Sequence, residues 1–66
     1  MGEIWKDKII EILKNNPQGL TINEIKDKAN TTRHTASIVL AELKGEKKIV
    51  IRQVGMAKLH YWRASV

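Results

Sequence analysis

Two histidines, His34 and His60, and no cysteine leave this 66-residue chain few groups able to hold a metal or attack a substrate. Protein zinc sites gather Cys, His and carboxylate ligands into clusters, and the acids nearest in sequence to either histidine do not form one, so neither metal nor other cofactor is expected. Ser37, His34 and Glu42 are the residue types of a hydrolytic triad. Yet Ser37 and His34 share one helix face, with no glycine-rich elbow and no second set of donors for an oxyanion. So short a chain also leaves little material to enclose a pocket beside a core, and an enzyme is not expected.

What remains is the chemistry of cations. The formal charge is +5, and its distribution is uneven. Residues 1–30 carry five Lys against Glu3, Asp7, Glu11, Glu24 and Asp27, and residues 31–46 set Arg33 and Lys44 against Glu42 and Glu46. The whole excess therefore lies in Lys47, Lys48, Arg52, Lys58 and Arg63, the end that a polyanion would meet first. The competing reading is that these cations keep an edge strand from pairing with its neighbours.

The elements that position these groups follow from apolar spacing. With 42% hydrophobic residues, one proline and three aromatics, the chain can build one domain and one core, spanning 1–66. No apolar run approaches the roughly 20 residues of a membrane span, and the first residues lack the pattern of a signal peptide. A soluble, cytoplasmic protein without membrane contact is expected. From about 3 to 15, Trp5, Ile9, Ile12 and Leu13 fall on one helical stripe, while Ile4 and Ile10 lie outside it as surface or self-association residues. Asn15-Asn16-Pro17-Gln18-Gly19 stops this helix. Thr21 and Glu24 stand at capping-box spacing, flanked by Leu20 and Ile25 as a hydrophobic staple. A second helix therefore covers about 22–29, with Ile22, Ile25 and Ala29 inward.

Thr32 caps a third helix from Arg33 to about Gly45, whose stripe is Ala36, Val39, Leu40 and Leu43. Its opposite face presents His34, Ser37, Ile38 and Ala41, small and nearly uncharged, with Arg33 and Lys44 on one flank and Thr35 and Glu42 on the other. Beyond Gly45 the period changes to that of strands, at about 48–62. A three-residue tip, Gly55-Met56-Ala57, pairs Ile51 with Tyr61 and Arg52 with His60. Ile49, Ile51, Leu59 and Tyr61 then share one face, and Arg52, Lys58 and His60 the other, where His60 can gain charge near neutral pH. A two-residue tip would change that pairing. Trp5 and Trp62 read as lids on the core rather than as base-stacking platforms.

Helix, short capped helix, tight turn, third helix and basic hairpin resembles a winged helix-turn-helix domain. Leu20-Thr21-Ile22-Asn23-Glu24-Ile25, Thr32-Arg33-His34-Thr35-Ala36-Ser37 and Leu40 with Leu43 resemble the helix-turn-helix core of prokaryotic transcription regulators. Val54-Gly55-Met56-Ala57-Lys58-Leu59-His60-Tyr61 looks like the wing of archaeal regulators of this type. The resemblance covers about residues 4–62. It implies an α+β, mainly α fold and a DNA-binding transcription regulator, with the third helix in the major groove of double-stranded DNA and the wing on backbone or minor groove. His34, Ser37, Ile38 and Ala41 would then face base edges, with Ile38 or Ala41 able to meet a thymine methyl. Thr32, Arg33, Lys44, Lys47, Lys48, Arg52, Lys58 and Arg63 would meet phosphates.

The resemblance also implies a nucleoid-associated location and either a homodimer or a fused sensor domain, since one unit offers few contacts. At Ile38 the chain is aliphatic where many relatives of this type are basic or polar. That departure opens an alternative from another class, a protein-interaction module docking a partner through Ile38 and Ala41. RNA binding through Tyr61, Trp62 and Arg63 is the third reading.

Overall fold

The structure, a computed structural model, describes residues 2–65 and the side chains of 4–64. Helices α1 (Gly2–Lys14), α2 (Ile22–Ala29) and α3 (Arg33–Gly45) precede antiparallel strands β1 (Ile49–Val54) and β2 (Ala57–Trp62) and a 3-10 turn, Arg63–Ser65. This is the expected α+β, mainly helical layout of three helices and a C-terminal hairpin, consistent with a winged-helix arrangement.

Local chemistry sets each boundary. The orphan carbonyls closing α1 are met partly by Asn16, whose Nδ2 donates to the Ile12 carbonyl at 2.7 Å. Gly19 then turns the chain at φ 93°, under the ring of Tyr61. At the start of α2 the capping box is complete: Thr21 Oγ1 accepts the Glu24 amide at 3.3 Å, and Glu24 Oε1 accepts the Thr21 amide at 3.0 Å. Asn30, left-handed at φ 56°, closes that helix, with its amide on Asp27 and that of Thr31 on Lys26. Thr32 Oγ1 accepts the Thr35 amide at 3.2 Å and opens α3 one residue later. The C-terminus of α3 closes in the same left-handed manner on Lys47, φ 59°, two residues beyond the glycine that marks its end in the sequence.

The helical stripes meet in one core of Ile9, Leu13, Leu20, Ile25, Ala29, Ala36, Val39, Leu40, Leu43 and Ile49. Full burial of Ile9, Leu13, Ile25 or Leu43 contributes about 1.5–3 kcal/mol each. Trp5 and Trp62 pack half-buried against this core, as lids. Ile10 differs from expectation: it also packs against the core, being wide enough of the main stripe to reach α1's neighbours, and only Ile4 stays exposed, at 75%.

The hairpin register corrects the sequence reading. The tip is two residues, Gly55 and Met56, with positive φ at Gly55 alone, as a type II′ turn requires. Ile51 therefore opposes His60 and Arg52 opposes Leu59. Side chains alternate along a strand, so this one-residue difference turns all of β2 over. Ile49, Ile51, Lys58, His60 and Trp62 share the face toward the helices, and Arg52, Leu59 and Tyr61 the outer one. His60, expected at the surface, is 7% exposed.

The hairpin is anchored to the helices by its backbone. Leu20 and His60 exchange both main-chain hydrogen bonds, at 3.1 and 2.8 Å, so the segment before α2 forms a third, one-residue rung beside β2. Arg63 ties the other end, its amide donating to the Lys48 carbonyl at 2.9 Å and its guanidinium to that of Lys47 at 3.1 Å.

Candidate nucleic-acid interface

Between α3 and the hairpin lies an open groove of about 670 Å³. One wall is a flank of α3 bearing Arg33, Ser37, Ala41 and Lys44. Successive residues step 100° around a helix, so these four follow one another along the axis on the side toward the hairpin, one quarter-turn from the buried stripe. The other wall is Ile51, Met56, Ala57, Lys58 and His60 of the hairpin, and the first turn of α2 closes one end with Thr21, Ile22 and Asn23.

Of the twelve residues that the sequence nominates, the groove gathers five: Arg33, Ser37, Ala41, Lys44 and Lys58. His34 and Ile38 stand exposed on the adjoining outward crest of α3, and Thr32 is occupied in capping that helix. The cations of the last 20 residues do not act as one patch. Lys47, Lys48 and Arg63 gather at the hairpin's base, where Lys47 carries the helix-closing conformation and Lys48 reaches Glu46 at 3.7 Å. Cations are favourable there beside the negative end of α3. Arg52 lies on the outer face, its guanidinium 5.9 Å from the centre of the Tyr61 ring. Only Lys58 reaches the groove.

Charge distinguishes the two flanks of α3. Among the described residues, no carboxylate lies within 4.0 Å of Arg33, Lys44 or Lys58. On the far flank, Glu42 and Glu46 converge on Lys6 of α1 at 3.2 and 2.8 Å. The hydrogen bond from Lys6 holds the Glu46 carboxyl below its ordinary value of 4.5, and the same bond raises Lys6 above 10.5. Glu42 and the capping Glu46 are thus turned away from the groove and share Lys6.

No family model, curated protein or solved structure matches this chain.

His60 is the buried polar group of the groove wall. Its Nδ1 lies 3.0 Å from the Leu20 carbonyl, which requires the proton on Nδ1 and leaves Nε2 as acceptor. Burial pushes its pKa below 6.5; the bond to Leu20 opposes that shift, and the positive charge of Lys58 adds to it. A neutral ring at neutral pH makes His60 a brace between the start of α2 and β2. Asn23 and Met56 line the groove without having been nominated by the sequence. Their signals were positional: Asn23 sits in a helix's first turn and Met56 at a hairpin tip, where side chains project.

Tyr61, Trp62 and Arg63 do not form one stacking surface, because Tyr61 and Trp62 point to opposite faces of β2. The Trp62 ring is covered by Lys14 of α1, with Nζ 5.2 Å from its centre. Among the described residues, no three His, Asp or Glu side chains come together to hold a metal ion, and no helix is long and apolar enough to cross a membrane.

Proposed function

We propose that the chain is a winged helix-turn-helix module that binds double-stranded DNA in transcription regulation, with α3 in the major groove and the hairpin on the backbone or minor groove. The observation that carries this reading is the groove flank of α3. Arg33 and Lys44 on the helix and Lys58 on the facing strand lie without carboxylate partners among the described residues, while Glu42 of α3 and its C-cap Glu46 are held by Lys6 on the opposite side. Surface cations are ordinarily interleaved with acids, and a groove that leaves three of them unopposed suits a polyanion.

In this arrangement Arg33, at the positive end of α3, takes a phosphate together with the amides of the first turn. Lys44, about three turns further along α3, and Lys58 across the groove take others. Ser37, short and set between the cations, lets the helix approach closely and can bond a base edge. One unit makes few contacts, so useful affinity calls for a second copy on a two-fold site or a fused domain.

The test is fluorescence anisotropy of the protein with random-sequence duplex DNA across a salt series. The expected result is a log–log slope corresponding to about three neutralised phosphates, near −2.7. Absence of binding at low salt would overturn the reading.

A further inference from the structure

We infer that His60 is a switchable cation of the groove, whose Nε2 takes up a proton when the phosphates of DNA occupy it. The inference rests on the DNA-binding reading and adds to it a contact residue and a dependence on pH. Three hydrogen bonds pin His60 to Leu20: the two amides and carbonyls exchange bonds at 3.1 and 2.8 Å, and Nδ1 donates to the Leu20 carbonyl at 3.0 Å. With Nδ1 committed, Nε2 is the nitrogen left to titrate, and it points away from Leu20. Nε2 has no hydrogen-bond partner among the described residues, yet no buried side-chain nitrogen or oxygen there lacks one. It therefore opens on the groove, whose wall His60 helps to form.

The neighbours of the ring decide when it charges. Lys58 stands two residues away on the same face of β2 and opposes a further positive charge. Arg33 and Lys44 of α3 line the same groove. The first turn of α2 brings uncharged Thr21 and Asn23, and Glu24 is engaged in capping, its Oε1 accepting from the Thr21 amide at 3.0 Å and from the Thr21 hydroxyl at 3.2 Å. Ile51 of β1 opposes His60 across the hairpin, and Lys14 of α1 lies over Trp62. Among the described residues, no carboxylate lies within 4.0 Å of the ring. An imidazolium in the free chain would thus meet cations and no anion, and the ring stays neutral. Phosphates in the groove reverse this: they offset the cations and give Nε2–H an acceptor, which favours the charged form. By linkage, the factor by which DNA raises proton affinity is the factor by which a proton raises DNA affinity. Binding therefore strengthens as pH falls through the pKa of the complex and levels off below that of the free chain.

The experiment follows both equilibria. NMR of the imidazole rings gives the titration of His34 and of His60 separately, in the free protein and with a short duplex bound. Fluorescence anisotropy gives the affinity for the same duplex from pH 8 to 5 at one low salt concentration. The pKa of His60 should be higher in the complex, and affinity should rise by the matching factor as pH falls, about tenfold or more for a group brought beside an opposite charge. His60→Gln, which keeps a donor toward Leu20 and does not titrate, should remove that gain and leave the part that belongs to His34. A His60 ring that titrates at the same pH in the free and bound protein overturns the inference and leaves DNA binding standing. A pH dependence unchanged in His60→Gln belongs to His34 and overturns it as well. So does an affinity that falls in acid, which would make protonation a loosening of the brace at Leu20. Absence of binding at every pH overturns both readings. If circular dichroism shows that His60→Gln does not fold, the NMR titration of the wild-type protein decides alone.

Discussion

The two flanks of α3 carry similar numbers of charged groups and use them in opposite ways. Toward α1, Glu42 and Glu46 close on Lys6, and the charges are spent inside the molecule. Toward the hairpin, Arg33, Lys44 and Lys58 line the open groove with no carboxylate partner among the described residues. Folding alone does not favour the second arrangement, since each cation could have been placed beside an acid for a few tenths of a kcal/mol. The contrast teaches that charge pairing marks the side of the helix that supports the fold, and unpaired charge the side that is available to a ligand.

The largest effect should come from removing the groove cations together. The triple variant Arg33→Ala, Lys44→Ala, Lys58→Ala should lose most duplex affinity at physiological salt, with the salt slope reduced by about 0.9 for each residue. Its melting temperature should hold, because none of the three has an ion-pair partner to lose among the described residues. A matching triple at the hairpin base, Lys47→Ala, Lys48→Ala, Arg63→Ala, should reverse the pattern, lowering stability more than slope, since Arg63 donates to the Lys47 carbonyl. If both triples lower the slope equally, the cations act as one diffuse patch and the contrast between flanks fails.

Next comes the spacing of the groove itself. A Cβ at Gly19 would stand 2.6 Å from Cζ of Tyr61, at a φ of 93° that a side chain strains to adopt. Gly19→Ala should therefore destabilise by about 2–3 kcal/mol, read by chemical denaturation, and displace the hairpin outward. Gly55→Ala, where nothing lies within 4 Å and only the φ of 61° is unfavourable, should cost about 1 kcal/mol. If the groove's width matters, DNA binding by the folded fraction falls in the first variant and holds in the second.

The helical half of this fold was legible because each of its signals is local. Thr21 and Glu24 are three residues apart and bond one another; Thr32 caps the helix that begins beside it; Ala36, Val39, Leu40 and Leu43 fall inward by period alone. The hairpin was half legible. Ile49 and Ile51 turned inward as expected, yet β2 turned over because a tip of two residues replaced a tip of three. Composition could not decide it: Leu59 and Tyr61 make as plausible an inner face as His60 and Trp62. What decides is tertiary, namely the rung between Leu20 and His60 and the fit of Tyr61 over Gly19. The candidate site inherits that error. The sequence nominated Arg33, Ser37, Ala41 and Lys44, which line the groove, but it grouped five C-terminal cations that the register and the closure of α3 at Lys47 distribute to three places.

His60 gives a smaller effect with a definite sign. Its folded pKa lies below 6.5, so the neutral ring contributes its full share above that pH, and stability declines as pH falls through 6.5 toward the folded value. Thermal melts from pH 7.5 to 5 should show this decline, and His60→Gln, which keeps a donor toward Leu20 but does not titrate, should flatten it. A slope that survives the substitution would place the titration elsewhere.

The smallest effect belongs to the paired flank, and it tests the other half of the comparison. Lys6→Met keeps the aliphatic stem and removes the charge that Glu42 and Glu46 share. Because Glu46 is held below 4.5, the pair contributes above that pH and is lost as pH falls through the folded value; because Lys6 is raised above 10.5, it is lost again as pH rises through that one. Melting temperature should therefore drop slightly near neutral pH and converge with wild type in acid, while the DNA salt slope stays unchanged. A uniform drop at every pH would assign the effect to packing of the stem. A change in the slope would mean that the two acids, once released, reach the phosphates, and that Lys6 serves the groove by restraining them rather than the fold by pairing with them.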